Sequence, residues 1–383
     1  MKTIIGLDQL LAHIDADDAG PALIAGLDRP DVDTFDATRI PPGSVVVGSS
    51  LGSAFAQRLV EAGSALFTAP TAPFEPARAS LYNADELFDG FDPEHPCTYC
   101  DTTDAKIYRH FVQSGGTSPS PAEALLRRVH DHQITEHLRR WLDNRRVVAI
   151  MGGHDMARSS DDYRDVVVLA RQLARDHFTI ATGGGPGAME AGHLGAYLAN
   201  HDDSALDQAI GLLDNAPDYR HEEWLAAAFR TRAHLDAQGP KPVESIGVPT
   251  WTYGHEPPNI FATTIAKYFE NSVREDGLVS IANHGIVFTP GNAGTVQEVF
   301  QDATQNHYAT INGAASAMVF LGRDYWTNTR PVIGLLRTLS TGRPYDDLIC
   351  MADGPDEAAA FIRDNPPIQL PVNAWSYCSE FCS

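Results

Sequence analysis

Three times along the chain a short apolar run ends in a glycine-rich turn and passes into residues of helical period. "VVAIMGG" begins at Val147, "FTIATGGGPGAMEAGHLGAYLAN" at Phe178 and "HGIVFTPGNAGTVQEVFQDATQNHY" at His284. The runs are apolar at nearly every position, the pattern of strands covered on both faces. "YRDVVVLARQLARD", from Tyr163, reads as a helix between the first two runs. "SAMVFLG", from Ser316, predicts a further strand, and "WTNTRPVIGLLRTL", from Trp326, a last amphipathic helix. Strands alternating with helices predict an α/β fold, a doubly wound parallel sheet of Rossmann-like type.

The chain before Arg146 has a different texture. In "GSVVVGSSLGSAFAQRLVEAG", Val45–Val47 predict a buried strand, Gly48 and Gly52 a tight turn, and 54–62 a helix. A proline-rich loop and an acidic, aromatic stretch follow. A helix is then predicted from Pro121, with Ser120 as its N-cap and Leu125, Val129, Ile134, Leu138 and Trp141 among its apolar positions. The expected organisation is an additional N-terminal α/β domain over 1–143, of unknown role and ending in a connector helix, and a Rossmann-like domain over 144–383.

Composition narrows the partners. The chain has 383 residues, 43% hydrophobic and 20% charged, enough for two cores. A formal charge of −22, with no Lys/Arg-rich block, speaks against a nucleic acid polymer as main partner. No apolar run is long enough to span a membrane, and the first residues lack a signal peptide's pattern, so a cytoplasmic protein is expected. Five cysteines argue against a disulfide scaffold. Cys97/Cys100 and Cys378/Cys382 form two pairs; free thiols are the plainer reading and a four-thiolate zinc site the alternative.

Glycine turns at helix starts leave backbone amides bare, and bare amides with the positive end of a helix dipole suit an anionic oxygen. "ATGGGPGAM" supplies Gly183, Gly184, Gly185 and Gly187; "TPGNAGTVQEV" supplies Gly291, Gly294 and the hydroxyl of Thr295. Neither matches the dinucleotide pattern G-x-G-x-x-G, nor the G-K-[ST] of a phosphate-binding loop, so neither an NAD enzyme nor an ATPase is indicated. A purely structural alternative stands beside this one: Thr295 and Glu298 are spaced as a capping box.

"MGGHDM", "TGGGPGAMEA" and "TPGNAGTVQE", in that order, resemble the LONELY GUY family of nucleotide phosphoribohydrolases, whose signature is P-G-G-x-G-T-x-x-E. The match is closest to the larger bacterial pyrimidine/purine nucleotide 5′-monophosphate nucleosidases, which share the G-G-H turn, the G-P-G-A-M-E-A block and an E-P-P-N segment, here Glu256-Pro257-Pro258-Asn259. The resemblance covers about 146–339. It implies hydrolysis of the N-glycosidic bond of nucleoside 5′-monophosphates, giving free base and ribose 5-phosphate. It implies Glu298 as the catalytic glutamate, and Arg274 as the catalytic arginine if one residue is inserted before His284. It places the substrate on Gly153, His154, Gly183, Gly184, Gly185, Gly187, Met189, Glu190, Pro290, Gly291, Asn292, Ala293, Gly294 and Thr295. It implies no cofactor, no metal, and a homodimer or higher homo-oligomer. Asn292 stands where the signature has its second glycine.

Such a reaction needs the phosphate held, the ribose stabilised as it becomes oxocarbenium-like, and a water activated. Amides at 291–295 suit the first need and a carboxylate at Glu298, one helical turn on, the other two. His154 and Asp155 are candidates to line the ribose or base pocket. Trio members Trp251, Tyr253 and His255 either stack on a base or pack an interface. Relatives were long labelled lysine decarboxylases, but the lysines here, Lys2, Lys106, Lys241 and Lys267, lie in none of the glycine turns. The alternatives to a nucleosidase are a non-catalytic nucleotide-binding or sensing protein, and a hydrolase of another phosphorylated N-glycoside.

Overall fold

The structure, a computed structural model, describes residues 2–27, 35–49, 51–67, 72–253, 257–311 and 313–370. Its first sheet is parallel and four-stranded, in the order β1 (Lys2–Ile5), β2 (Ala22–Ala25), β3 (Val45–Val47), β4 (Ala65–Phe67). Helices α1 (Leu7–Ile14) and α2 (Ser53–Glu61) accompany it. Ile4, Leu10, Ile24, Val46, Phe55 and Leu59 form a core of its own. The strand and helix expected around Val45 and 54–62 are present. "KTII" and "ALIA" add strands that their brevity hid.

Helix α3 (Thr103–Gln113) precedes α4 (Pro121–Trp141), whose Ser120 side chain accepts from the Glu123 amide at 3.4 Å, the expected N-cap. Residues of this region, from Phe74 to Leu138, share one core with the second sheet. Tyr82 also pairs with the edge of that sheet, exchanging backbone bonds with Ile265 at 2.9 and 2.8 Å.

The second sheet is parallel and seven-stranded. Its strands are β5 (Val147–Met151), β6 (Thr179–Thr182), β7 (Ser245–Gly247), β8 (Thr264–Ile265), β9 (Ile286–Phe288), β11 (Met318–Leu321) and β12 (Ile349–Ala352), in the order β12-β11-β9-β5-β6-β7-β8. A small antiparallel pair, β10 (Ala314–Ala315) with β13 (Ile368–Gln369), stands beside it. The buried runs of the sequence are its strands, β5 buried at every position. Helices α5 (Asp161–Arg175), α6 (Ala188–Tyr197) and, late in the chain, α12 (Pro355–Asp364) form one packed group, with α6 against β5, β6 and β7. Helices α9 (Asn271–Ile281), α10 (Ala293–Tyr308) and α11 (Ile333–Ser340) form the other, with α9 against β5 and α10 against β9. Between α6 and β7 lie α7 (Asp203–Leu213) and α8 (Trp224–Ala237).

This is the expected doubly wound Rossmann-like arrangement. Two details differ at its end. Pro331 lacks an amide hydrogen and disfavours helix in the residue before it. So "WTNTRPVIGLLRTL" divides into a π-turn, Tyr325–Thr329, and α11. Nor is that helix the last, since β12 and α12 follow.

The strand order reverses at β5, which has β6 on one side and β9 on the other. Ligands of open α/β sheets bind beyond the carboxyl ends of strands at such a point.

Candidate functional site

The turns after β5, β6 and β9 are laced together by their own backbones. Gly153 donates its amide to the Pro290 carbonyl at 2.9 Å, and Ala188 donates to the Gly153 carbonyl at 3.0 Å. Gly187, at φ +67°, lets the second turn come this close: a Cβ there would collide with Gly153 O and His154. In front of the turns lies a cavity of ≈ 370 Å³, within the range of small-ligand sites.

Of the residues the sequence nominated, this cavity brings together Gly153, His154, Gly183, Met189, Arg274, Asn292, Ala293, Gly294, Thr295 and Glu298. Gly184, Gly185, Gly187, Glu190, Pro290 and Gly291 are not in its lining. The second turn is buried, and Asn259 of the E-P-P-N segment holds it, donating to the Gly184 carbonyl at 2.8 Å and the Gly185 carbonyl at 3.4 Å. Gly184 and Gly187 therefore serve close packing of chain on chain. Glu190 lies behind the turn, 1% exposed, with its carboxylate gripped on both oxygens by Arg158 at 2.7 and 2.6 Å and by the Tyr163 hydroxyl at 3.0 Å. Pro290 and Gly291 turn their carbonyls inward, to the Gly153 amide and, at 2.5 Å, to the Tyr325 hydroxyl.

The third turn is open. Helix α10 starts at Ala293 with Asn292 as N-cap, and the Asn292 side chain makes no capping bond. The amides of Ala293, Gly294 and Thr295 fall in the first turn, where a helix offers its N–H groups no partner of its own. Asn292, Ala293 and Gly294 are exposed, and Gly294 has nothing within 4 Å of where a Cβ would be. This corrects the capping-box alternative. Thr295 is the third helical residue, not the cap, and its side chain lies over Gly291. Asn292 Oδ1 instead accepts from Arg330 Nη2 at 3.3 Å.

Glu298 stands one turn further along α10, partly buried in the cavity wall. Burial pushes its carboxyl up to about 7; Arg274 pulls against this shift and Glu275 adds to it. Arg274, in the first turns of α9, donates Nε–H to the Val248 carbonyl at 2.7 Å and Nη2–H to that of Gly183 at 3.3 Å. The start of α9 is itself held from α4: Asp131 accepts the amides of Phe269 at 3.0 Å and Glu270 at 2.8 Å.

Glu275 and Tyr253 line the cavity as well, and the sequence reading passed over Glu275. Its signal was adjacency to Arg274 on one helix. Tyr253, 45% exposed, accepts from Asn271 Nδ2 at 3.1 Å. Trp251 is no stacking platform: it is buried against Phe269, ring centroids 4.5 Å apart, and donates Nε1–H to Asp104 at 2.9 Å. Asp104 also receives Lys267 Nζ at 2.6 Å. His255 and Glu256 lie outside the described residues. Asp155 is exposed and is not in the lining.

Cys97, Cys100 and Cys350 are free thiols; Cys378 and Cys382 lie outside the described residues. Among the described residues no group of three or more His, Cys, Asp or Glu side chains is placed to hold a metal. No helix there is long and apolar enough to cross a membrane.

No protein-family description matches the chain, and no curated protein matches its sequence. Similar solved structures include the molybdenum cofactor binding protein from Rippkaea orientalis, at 14% identity and a TM-score of 0.38, covering 58% of this chain and 98% of that one. They also include the molybdenum cofactor carrier protein from Chlamydomonas reinhardtii, at 16% identity and a TM-score of 0.35, again covering 58% and 98%. Likeness at this level carries no argument about what the present chain binds.

Proposed function

We propose that the protein hydrolyses the N-glycosidic bond of nucleoside 5′-monophosphates, as the resemblance to the LONELY GUY phosphoribohydrolases implies. The observation that carries this reading is the pairing, in one cavity, of the open helix-start amides at 292–295 with the Glu298 carboxyl one turn along the same helix. The amides and the positive end of α10 take the 5′-phosphate. The ribose then lies over the first turn of α10, beside Glu298. As the bond from C1′ to the base breaks, the carboxylate faces the positive charge that develops on the sugar. A water adds to C1′ and gives up its proton, and the departing base takes one up. A carboxyl with a pKa near 7 is suited to passing that proton, because both of its forms are populated at neutral pH. The base leaves toward His154 and Tyr253. No cofactor or metal enters the scheme, and a homodimer or higher homo-oligomer is part of the proposal.

A second reading is a nucleotide-binding protein without turnover. What favours it is the engagement of Arg274 with two backbone carbonyls, together with Asn292 in place of a signature glycine. One experiment decides. A panel of purine and pyrimidine monophosphates is incubated with the protein and scored for free base, with binding measured in parallel. Base release that the Glu298→Gln variant loses supports the hydrolase. Binding with no release from any member leaves the second reading.

A further inference from the structure

A second cavity, of ≈ 190 Å³, lies at the opposite end of the large sheet, where β9 and β11 begin. Its wall includes Asp302, Gln305 and Asn306 from the later turns of α10, His284 from the loop entering β9, and Ser316 before β11. Asp302 is 3% exposed. Its Oδ1 accepts a long bond from Asn306 Nδ2, at 3.4 Å, while Oδ2 has no hydrogen-bond partner. Among the described residues no cation is paired with it. Burial alone pushes its carboxyl well above the usual carboxylate range.

Beside Gln305, several neighbouring polar groups are bonded to backbone groups or act as acceptors. Asn306 Oδ1 takes the Ser316 amide at 2.8 Å. Asn283 Oδ1 takes the Val147 amide at 2.8 Å, and its Nδ2 donates to the Arg145 carbonyl at 3.0 Å. The amide orientation thus being set, the 2.8 Å contact between His284 Nδ1 and Asn283 Oδ1 makes Nδ1 the donor. Burial, and Arg146 nearby, push the pKa of this imidazole down and so favour its neutral form, in which the other nitrogen is an acceptor. A buried carboxylate with no partner is costly; protonation is one relief, and a cation that brings its own N–H donors to Asp302 and to the acceptors beside it is the other. What complements this wall is a donor with positive charge.

We propose that this cavity binds a small cationic ligand bearing N–H donors, a guanidinium or primary ammonium group, with Asp302 as its counter-ion. The size of the cavity suits such a group, and the charge of −22 favours cations near the protein. The proposal is independent of the nucleotide reading, because it concerns a different cavity at the other end of the sheet.

The test is calorimetric titration of the full chain with methylguanidine, with urea as a neutral molecule of similar shape. The expected result is saturable binding of methylguanidine, weakened at least about tenfold in Asp302→Asn and unchanged in Glu298→Gln, with urea weaker than methylguanidine. NMR of the His284 ring in the unaltered protein gives a second readout that needs no variant: its resonances shift with methylguanidine and not with urea. Absence of saturable binding up to about 10 mM overturns the proposal. So does binding that Glu298→Gln abolishes while Asp302→Asn keeps it, which would put the cation in the first cavity. Unmoved His284 resonances at saturation overturn it as well.

Discussion

The guanidinium of Arg274 fills the space that a Cβ on Gly183 would need, and it donates Nη2–H to that glycine's carbonyl at 3.3 Å. The absence of a side chain at the head of the second turn is thus explained by the protein's own arginine. Gly183→Ala should push the guanidinium off both carbonyls and destabilise the fold by roughly 1–3 kcal/mol, the usual cost of overpacking. Urea unfolding measures the loss, and nucleotide affinity should fall with it. An alanine variant as stable as the parent, with unchanged affinity, would show that Arg274 gives way without consequence.

Glu298→Gln keeps the shape of the side chain and removes its acid–base chemistry. Nucleotide affinity should stay within a few-fold, while turnover falls by about two orders of magnitude or more. The same variant tests the raised pKa. A carboxyl that titrates near 7 in the folded protein and near 4.5 when unfolded binds its proton more tightly in the native state. Its contribution to stability is therefore fully present below about pH 4.5 and is lost as pH rises to 7. The Gln variant lacks that loss, so its stability relative to the parent should climb across this window and level off above it. Urea midpoints of the two proteins at pH 4.5, 6 and 7.5 make the comparison, and a constant difference would show that Glu298 titrates normally.

Glu190 should behave in the opposite way. Removing it in Glu190→Ala strands Arg158, itself 1% exposed, without a counter-charge, a change that typically costs 3–5 kcal/mol. The damage should appear in unfolding experiments. Among molecules that remain folded, kcat should be near that of the parent, because this carboxylate is taken up by Arg158 and Tyr163 and is not in the cavity lining. A variant of normal stability and altered kcat would contradict this placement.

Gly294 differs from the glycines of the second turn. It has helical rather than left-handed φ, and open space where a Cβ would project, so strain at positive φ is not its reason for being glycine. Gly294→Val should leave stability within about 0.5 kcal/mol. Its side chain would stand among the helix-start amides, so monophosphate affinity should fall at least about tenfold, as measured by calorimetry. Unchanged affinity would move the phosphate away from this turn.

The contrast between these two glycines marks how far the sequence could be read. Periodicity and breaker residues suffice for β5, β6, β9 and the helices after them, because each is a local pattern: apolar run, turn, amphipathic segment. They suffice also for Ser120 as the cap of α4. Which glycines face the cavity and which face the chain is settled by long-range packing, by Arg274 from α9 and Asn259 from the E-P-P-N segment, and neither is local to the turn. The same holds for Glu190, whose partner Arg158 lies 32 residues away, and for Trp251, which looks like a binding aromatic until α3 supplies Asp104 beneath it. Glu275 escaped notice for a different reason: an acid on a helix surface carries no pattern until the fold turns it toward a second carboxylate.

The last prediction concerns the phosphate. If the open amides at 292–295 are the anchor, a 5′-phosphate should matter more than the identity of the base. A hydrogen bond to a charged group contributes on the order of 1.5–3 kcal/mol, so two or three amides acting together should favour a monophosphate over its nucleoside by at least about a hundredfold in kcat/KM. General attraction cannot supply that preference, because a charge of −22 repels anions at long range. Nor can Arg274 supply it alone, since two of its donors are committed to backbone carbonyls. The preference should therefore survive Arg274→Lys better than it survives Gly294→Val. Initial rates with AMP against adenosine, and CMP against cytidine, at one ionic strength measure it. Equal rates within each pair would mean that the open amides of the third turn hold no phosphate, and that Glu298 serves a ligand without one.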